Sequence, residues 1–312
     1  MRSYKETFDT LFKEIDKVIV GQREVMEQIV VAMLCDNNAL IEGFPGLAKT
    51  FAIRTLSRLM DLKFSRIQST PDLMPSDITG TYIIEETSGG RRNFKFQPGP
   101  VFANIVLADE INRATPKTQS AFLEAMQEKQ VTVGNSTYKL DLPFFVLATQ
   151  NPIEQEGTYP LPEAQADRFL LKINIDYPTE SDEEEIVNRY TSEAREHHLR
   201  TIFNKKQFLA LQQIVRQVPV ANDIKRKAIK IVTTTRESKN LLQYGASPRA
   251  SIGLILASKA RALLMGRNHV GMEDIIKLAY PILRHRIILN FEAQRKGLKA
   301  DDAIKEIIGK VK

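Results

Sequence analysis

The sequence predicts an α/β domain built on a parallel sheet, followed by an all-helical domain. Up to residue 175, short apolar strand candidates alternate with helical patterns, which is typical of a parallel sheet covered by helices on both faces. A glycine-containing loop joins the first strand candidate to a helix, as in folds that bind phosphate. After residue 175 no further strand candidate is evident, and helical patterns alone continue.

The composition is that of a soluble protein with one or two domains. The chain has 312 residues, of which 43% are hydrophobic and 26% are charged. Its longest early apolar run, residues 29–35, is too short to span a bilayer, and the N-terminus has no signal-peptide pattern. The single cysteine, Cys35, excludes an internal disulfide and a cysteine cluster for zinc. We therefore expect a cytoplasmic protein that does not insert into membranes.

Charge is distributed unevenly along the chain. The total net charge is +6, but residues 1–197 carry a net charge of −9 and residues 198–312 a net charge of +15. This difference indicates two domains with different surfaces. The basic part could bind nucleic acid, contact the acidic face of a neighbouring subunit, or be an ordinary solvated surface, and charge alone does not distinguish these.

The elements of the first domain follow from hydrophobic periodicity. Apolar residues at 24–35 share one helical face, and later helical patterns occupy 50–60 and 116–128. The strand candidates are 38–42, 63–68, 105–109, 144–149 and 169–175. Two β-hairpins interrupt this alternation: strands at 81–85 and 93–97 flank Ser88–Arg91, and strands at 130–133 and 137–140 flank Gly134–Ser136. Either hairpin could be a solvent-facing decoration or a working loop.

The second domain is predicted to begin near residues 176–180. Tyr177-Pro178-Thr179 breaks the pattern, and Ser181 with Glu184 forms a capping box that opens a helix. Helical patterns then run over 181–197, 205–217, 221–238, 248–265 and 272–287. We therefore assign residues 1–178 to the α/β domain and residues 179–312 to the helical domain.

A loop suited to binding phosphate follows the first strand. Its backbone N–H groups would surround the β-phosphate, Lys49 would reach the β- and γ-phosphates, and Thr50 would offer its hydroxyl to Mg²⁺. Ala48 stands where the general pattern has its second glycine, and a plain strand-to-helix turn with a surface lysine would look similar. The candidate nucleotide-binding residues of this loop are Gly43, Pro45, Gly46, Leu47, Ala48, Lys49 and Thr50.

Two acidic residues end the apolar strand at 105–109, at the edge where ligands collect in parallel sheets. Asp109 would hold Mg²⁺, and Glu110 would orient and deprotonate the attacking water. The alternative is a pair of solvated acids at a strand end. Asn151 follows the next strand and could bond both the γ-phosphate and the water, because an amide donates and accepts, although asparagine there is also a common turn former.

Two arginines are candidates for stabilising charge on the transferring phosphoryl group. Arg168 precedes the last strand and would lie too far from its own nucleotide, so we expect it to act on that of a neighbouring subunit, unless it only forms a salt bridge with Asp167 or Glu163. Arg249 follows Ser247-Pro248 at a helix start and would project toward bound phosphate, which would couple the helical domain to nucleotide state.

Residues 18–22 combine an apolar run with a turn, just before the helical pattern at 24–35. Val20, Gly21 and Gln22 belong to this run and are candidates for contact with an adenine ring. Apolar residues of this kind also occur in any hydrophobic core, so this prediction rests on position alone.

Five segments in order resemble those of AAA+ ATPases, and more narrowly those of the MoxR family. GFPGLAKT, LADEINRA, ATQNP, LPEAQADRF and GASPRA are similar to its Walker A, Walker B, sensor 1, arginine-finger and sensor 2 segments. The resemblance extends from VGQREV through the helical domain, and Ala48 agrees with this family's pattern. It implies a five-stranded parallel core with a C-terminal helical lid. It also implies that the hairpins are the helix-2 insert, near 80–98, and the pre-sensor-1 insert, near 129–141.

The resemblance further implies a homo-oligomer, in the form of a hexameric ring with ATP and Mg²⁺ at its subunit interfaces. Such proteins are chaperone-like, help insert metals or cofactors into partner proteins, and often accompany von Willebrand factor A-domain proteins. Arg113 is a further candidate for reaching a neighbouring site. We expect Mg²⁺-dependent ATP hydrolysis that rotates the lid and remodels a protein client.

Two other functions are compatible with parts of the sequence. A nucleic-acid motor or loader is supported by the basic lid alone, and because no aromatic strand platform or dedicated DNA-binding domain is evident, we do not expect a nucleic-acid partner. A nucleotide-gated binding module with negligible turnover is disfavoured by Glu110 and Arg168.

Overall fold

The computed structural model describes residues 2–86, 92–152, 157–191 and 199–311. The first part of the chain alternates helices and strands. Its helices are α1 (Arg2–Asp16), α2 (Arg23–Leu34), α3 (Lys49–Leu59), α4 (Pro75–Thr79), α5 (Pro116–Glu128) and α6 (Glu163–Ala166). Its strands are β1 (Ala39–Gly43), β2 (Phe64–Gln68), β3 (Gly80–Glu86), β4 (Arg92–Pro98), β5 (Ile105–Asp109), β6 (Gln130–Val133), β7 (Ser136–Lys139), β8 (Phe145–Gln150) and β9 (Leu171–Ile175).

The core is a five-stranded parallel sheet in the order β2-β5-β8-β1-β9, which confirms the predicted fold class. Side chains alternate between its two faces. On one face, Val106 of β5 and Val146 of β8 pack with Phe122 of α5 in one hydrophobic cluster. On the other face, Leu107 and Leu147 belong to a second cluster that includes α1, α2 and α3. The carboxyl ends of all five strands therefore meet at one edge of the sheet.

The two predicted hairpins are present as β3–β4 and β6–β7. The predicted turn at 88–91 lies outside the described residues. An aromatic cluster joins the hairpins: the hydroxyl oxygens of Tyr82 and Tyr138 are 2.7 Å apart, and the rings of Phe96 and Tyr138 stack at 4.0 Å. The hairpin β3–β4, which we call the outer hairpin, also exposes apolar side chains, with Ile84 60% and Phe94 78% exposed.

The second part of the chain is mainly helical, as predicted. Its elements are α7 (Glu180–Thr191), α8 (Lys205–Gln217), α9 (Asn222–Glu237), β10 (Leu242–Tyr244), α10 (Pro248–Leu264), α11 (Met272–Leu283), β11 (Ile288–Leu289), α12 (Phe291–Arg295) and α13 (Ala300–Lys310). The predicted helix at 181–197 is described only as far as residue 191. Among the helices of the described ranges, none has the length and apolar character needed to cross a membrane.

One detail of the helical domain differs from the prediction. β10 and β11 pair as a short antiparallel sheet, so the domain is not all-helical, and α11 ends at Leu283 although its pattern extended to residue 287. Strands of three and two residues are too short to show periodicity, because alternation needs about four residues to be recognised. This pairing draws the chain after α11 back toward the start of α10.

The helical domain packs directly on the sheet domain. α10 contacts α1 and α2, α8 contacts α2, and α11 contacts β9, which is an edge strand of the sheet. Buried side chains from both parts, among them Val30 of α2 and Leu254 of α10, belong to one hydrophobic cluster. The described parts of the two domains therefore share one hydrophobic core. The boundary between residues 178 and 179 stays a prediction.

Candidate functional site

The phosphate loop connects β1 to α3 at the carboxyl edge of the sheet. Gly46 has φ +84°, a conformation that glycine adopts without strain, and a Cβ added to it would meet nothing within 4 Å. Ala48, the residue immediately before α3, also has a left-handed backbone, with φ 52° and ψ 22°. A side chain is unfavourable in this conformation by about 1–2 kcal/mol. The loop geometry therefore explains why the general pattern has glycine at this position.

An open cleft of about 400 Å³ lies beside this loop. The loop residues Pro45 to Phe51 form one wall, so six of the seven predicted loop residues line it. The seventh, Gly43, ends β1. The predicted residues Asp109, Glu110 and Asn151 line the same cleft, together with Arg66 and Gln68 of β2. The structure thus brings together the three strand ends that the sequence associated with phosphate chemistry.

Lys49 lies at the start of α3 with its ammonium turned back over the loop. Its Nζ donates a hydrogen bond to the carbonyl oxygen of Gly43 at 2.5 Å. Partial burial lowers its pKa, and the carboxylates of Asp109 and Glu110 oppose that shift. The ammonium is therefore held in the cleft by a neutral acceptor, which an anionic phosphate oxygen would replace with a stronger, charge-assisted bond.

Asp109 is 9% exposed and both of its carboxylate oxygens have partners. Oδ1 accepts a hydrogen bond of 2.6 Å from the Thr149 hydroxyl, and Oδ2 accepts from Arg66 Nε at 3.0 Å and from its terminal nitrogen at 2.6 Å. A guanidinium thus balances the charge that a divalent cation would balance. Thr149 fixes the carboxylate from the neighbouring strand β8.

Glu110 has a left-handed backbone, with φ 54° and ψ 50°, and precedes a short 3₁₀ turn at Ile111–Arg113. Its N–H donates to Thr149 Oγ1 at 2.8 Å. Its Oε2 accepts from Arg113 at 2.9 Å and from Gln68 at 3.4 Å. In this chain Arg113 therefore pairs with Glu110 of the same site, and its predicted reach to a neighbouring site stays a prediction.

The donor set of the cleft fits Mg²⁺. The Thr50 hydroxyl and the Asp109 carboxylate line one cavity and are hard oxygen ligands, which Mg²⁺ prefers together with phosphate oxygens and water. Among the residues described, no group of three or more His, Cys, Asp or Glu side chains could hold a metal by itself. The set thus suits an ion that is shared with a bound nucleotide.

A second, more apolar cavity of about 320 Å³ adjoins the phosphate loop. Gly46, Leu47, Ala48 and Phe51 line both this cavity and the phosphate cleft. Val18, Ile19, Val20 and Gln22 line it, and the Gln22 amide donates to the Leu47 carbonyl at 3.0 Å. Pro178, Ile186 and Tyr190 also line it. Its character and place suit the predicted adenine contact for Val20 and Gln22.

Gly21 lies next to this cavity with φ +71°. A Cβ there would lie 2.7 Å from Cγ of Asp182 in α7, so a side chain would clash with the helical domain. Gly21 is therefore a place of close approach between the two parts of the chain, and its predicted contact with the nucleotide stays a prediction.

The two predicted arginines lie in a different cleft, of about 600 Å³, which we call the arginine cleft. Arg168, Arg249, Lys129 and Arg286 are the cationic residues of its wall. Among the described residues, it shares none of its lining with the cleft at the phosphate loop. Arg249 forms an ion pair with Asp167 at 3.4 Å. The structure thus brings Arg168 and Arg249 together.

The two clefts lie at opposite ends of the strands. Asn38, just before β1, and Leu170, just before β9, line the arginine cleft, whereas the phosphate loop follows β1. The five residues of β1 span roughly 16 Å at about 3.3 Å per residue. The start of α10 therefore lies with Arg168 at the amino end of the sheet, away from the phosphate loop of the same chain, and the predicted action of Arg249 on bound phosphate stays a prediction.

Several residues of the site were missed in the sequence. Arg66, Gln68 and Thr149 contact Asp109 or Glu110, and Arg286 borders the arginine cleft. The alternation Arg66-Ile67-Gln68 at the end of a strand candidate was the available signal, since β2 neighbours β5 and the two polar side chains share a face. For Arg286 the local sequence carries no comparable signal.

Comparisons with known proteins match this chain along most of its length. Residues 38–171 match the ATPase family associated with various cellular activities (AAA), and residues 235–307 match the AAA lid domain. Chaperone MoxR1 of Mycobacterium tuberculosis is 42% identical, covering 97% of this chain and 81% of that protein. YeaC of Bacillus subtilis is 44% identical over 96% of this chain and 92% of its own length.

A solved structure extends the likeness to three dimensions. The crystal structure of a candidate ATPase from Cytophaga hutchinsonii aligns with a TM-score of 0.92 at 43% identity. The alignment covers 99% of this chain and 96% of that one. Similarity therefore extends over both the sheet domain and the helical domain.

Proposed function

The chain belongs to the MoxR family of AAA ATPases, and from this premise we propose that it hydrolyses ATP at the interfaces between identical subunits and uses the reaction to remodel partner proteins. One subunit holds the nucleotide, and its neighbour supplies the arginines that complete the active site. The single observation that supports this arrangement best is the separation of the two clefts, because Arg168 and Arg249 face away from the phosphate loop of their own chain.

The residues at the phosphate loop have distinct roles in this proposal. Lys49 exchanges its bond with the Gly43 carbonyl for the β- and γ-phosphates, and the loop N–H groups bind the same anion. Glu110 leaves its contact with Arg113 and accepts a proton from the attacking water. Asn151 orients that water from the end of β8.

Mg²⁺, when bound by Thr50 and Asp109, would balance negative charge on the phosphates. Arg66 already balances the charge of the Asp109 carboxylate. Binding of the ion and nucleotide therefore requires Arg66 to move away, and its position beside the loop makes it available to the phosphates.

Arg168 and Arg249 stabilise charge on the neighbour's phosphoryl group. A guanidinium supplied across an interface accelerates phosphoryl transfer by about 10³–10⁵-fold. An interface that joins one subunit's phosphate cleft to the next subunit's arginine cleft is heterologous, and such an interface generates a ring when the rotation between subunits closes. We extend the proposal to a hexamer in the cytoplasm. The unlike charges of residues 1–197 and 198–312 favour such contacts.

The client belongs to the proposal as well. The M. tuberculosis relative is named a chaperone, and on this basis we propose that the present chain acts on protein clients, with a von Willebrand factor A-domain protein as one candidate partner. The exposed Ile84 and Phe94 of the outer hairpin offer apolar contacts for such a client.

Mixing two inactive variants tests the shared site. Lys49→Ala removes nucleotide binding but keeps its arginine cleft, and Arg168→Ala keeps its phosphate cleft but should lose about 10³-fold in kcat. In an equal mixture, about a quarter of the interfaces combine two intact halves, so steady-state ATPase activity should return to about a quarter of the wild-type rate.

A matched control defines the result. Lys49→Ala mixed with Glu110→Gln should stay inactive, because both changes affect the same half of the site. Absence of recovery in the first mixture, although native mass spectrometry shows mixed assemblies, would contradict the shared site.

A further inference from the structure

Arg286 follows α11 and is buried at the junction of the two domains, with its side chain 3% exposed. Its guanidinium donates to the Asp167 carboxylate at 2.8 Å. It also donates to the backbone carbonyls of Asp167, Phe169 and Leu170 at 3.1, 2.5 and 3.0 Å, and to that of Ile282 at 2.5 Å. One side chain from the helical domain therefore holds three residues of the chain that leads into β9.

These three residues flank Arg168 along the chain. The carbonyl of Asp167 precedes it and that of Phe169 follows it, so Arg286 fixes the backbone on both sides of the predicted arginine finger. Arg168 Nε is buried and has no hydrogen-bond partner among the described residues. Among the described residues, no hydrogen bond at Nε fixes the Arg168 side chain, whereas Arg286 holds the backbone on both of its sides.

Asp167 connects the same group to Arg249. Its carboxylate accepts hydrogen bonds from the Ser247 hydroxyl at 3.0 and 3.1 Å and from Arg249 at 3.4 Å, as well as from Arg286. Ser247 is the N-cap of α10 and accepts from the Arg249 N–H at 3.3 Å. One carboxylate thus joins the start of α10, which carries Arg249, to the segment that carries Arg168.

We propose that Arg286 and Asp167 are positioning residues that hold Arg168 and Arg249 as one two-arginine unit, aimed at the nucleotide of a neighbouring subunit. This inference rests on the proposed function. Neither positioning residue touches the nucleotide. The guanidinium suits this task because its planar fork donates in several directions at once, whereas a lysine ammonium is a single point of charge. Any movement of α11 relative to β9 therefore changes the aim of both arginines together.

The first test replaces Arg286 with methionine, which keeps much of the buried volume but removes every donor. We expect the affinity for a fluorescent ATP analogue to change by less than about twofold, because the phosphate cleft lies at the other end of the sheet, and kcat to fall by about 10²-fold, as misplaced catalytic groups do. A loss of nucleotide affinity with unchanged kcat would overturn the inference.

Arg284→Met is the matched control. Arg284 lies two residues away and bonds Asp301 and the Lys172 carbonyl, and within the described structure it forms no hydrogen bond or ion pair with residues 167–170. Its loss should lower thermal stability without a comparable fall in kcat. An equal fall in kcat for both variants would show that general damage to the junction is responsible, and would overturn the specific role of Arg286.

Arg286→Lys separates charge from geometry. It retains the positive charge beside Asp167 but cannot reach the carbonyls of Phe169 and Leu170 together with that carboxylate. We expect kcat to stay at least tenfold below the wild-type value. Full activity of Arg286→Lys would show that charge alone suffices and would overturn the positioning role.

Mixed assemblies distinguish positioning from misfolding. Arg286→Met has an intact phosphate cleft, but its Arg168 and Arg249 are no longer held in position. Its mixture with Lys49→Ala should therefore recover about as much activity as the mixture of Arg168→Ala with Lys49→Ala. If the Arg168→Ala mixture recovers and the Arg286→Met mixture does not, the positioning inference fails while the shared site stands. If neither recovers, the proposed function itself fails.

Asp167→Asn serves if Arg286→Met does not fold. It keeps an acceptor for Ser247 and Arg249 but removes the charge that compensates the buried guanidinium. The expected result is again a lower kcat, by about tenfold or more, with unchanged nucleotide affinity and recovery on mixing with Lys49→Ala. Wild-type kcat in Asp167→Asn would overturn the inference.

Discussion

The phosphate cleft and the arginine cleft are built in different ways. The phosphate cleft uses the carboxyl ends of neighbouring strands, where one loop and the ends of β2, β5 and β8 converge because the strands are parallel. The arginine cleft uses the amino ends of strands and needs α10 and Arg286 of the helical domain to complete it. The first is a property of one domain, whereas the second depends on how two domains pack.

This difference determines what could be predicted from the sequence. Lys49, Asp109 and Glu110 are each next to a recognisable strand, and the carboxyl ends of parallel strands lie at the same edge of a sheet. The position of Arg249 depends on α10 packing against α1 and α2, and such packing leaves no periodic trace in the sequence. Its association with Arg168 therefore required the structure.

Smaller misses have related causes. The pairing of Arg66 with Asp109 follows from β2 lying beside β5, which the sequence did not fix. Thr149 lies inside an apolar strand and resembles a core residue until its bonds to Asp109 and the Glu110 N–H are seen. Fold class and strand bounds were accessible because they depend on local periodicity.

Among the variants that distinguish the two clefts, we expect Glu110→Gln to have the largest effect on kcat. An amide cannot accept the proton from water, so kcat should fall by about 10³-fold, within the range typical of a lost general base. Lys49 and the loop are unchanged, so nucleotide affinity should be retained, as a fluorescent nucleotide titration would show. Continued turnover in this variant would contradict the role of Glu110.

Arg249→Ala tests whether the two clefts are independent. Loss of one charged hydrogen-bond donor should lower kcat by about tenfold to 10²-fold. Nucleotide affinity should stay at the wild-type value, whereas Lys49→Ala should weaken it strongly, because Lys49 alone of the two lines the phosphate cleft. Equal losses of affinity in isothermal titration would show that Arg249 acts on its own chain's nucleotide.

His285, at the junction of the two domains, makes the stability of the fold depend on pH. Burial, followed by the positive charges of Arg286, Lys172 and Arg284, lowers its pKa well below the usual value, while its bond to the Phe169 carbonyl opposes this shift. Below about pH 6.5 the unfolded chain binds a proton that the folded chain does not. The free energy of unfolding should therefore decrease as the pH is lowered, by at most about 1.4 kcal/mol per pH unit.

His285→Gln provides the comparison. Glutamine can donate to the same carbonyl without titrating, so the difference in unfolding free energy between wild type and variant should shrink or reverse between pH 7 and pH 5. Urea unfolding at several pH values measures it. Parallel pH profiles for both proteins would exclude His285 as the cause.

The smallest effect is expected on the phosphate side, at Ala48. Glycine at φ 52° removes the steric cost of the left-handed backbone but adds freedom to the unfolded chain, so Ala48→Gly should stabilise the protein by about 0.5–1 kcal/mol. Ala48→Val should have the opposite sign, because β-branched residues are least tolerated there. Thermal unfolding midpoints give both signs. A lower midpoint for the glycine variant would contradict the strain.

The aromatic contacts between the hairpins have a mechanical consequence. A molecule that displaces β3–β4 must also displace β6–β7 or separate the stacked rings of Phe96 and Tyr138. The second hairpin continues within a few residues into β8, whose far end carries Thr149. Tension applied to the outer hairpin can therefore be transmitted along β8, because an extended strand stretches very little. At the end of β8 it reaches Thr149, which bonds both Asp109 and Glu110.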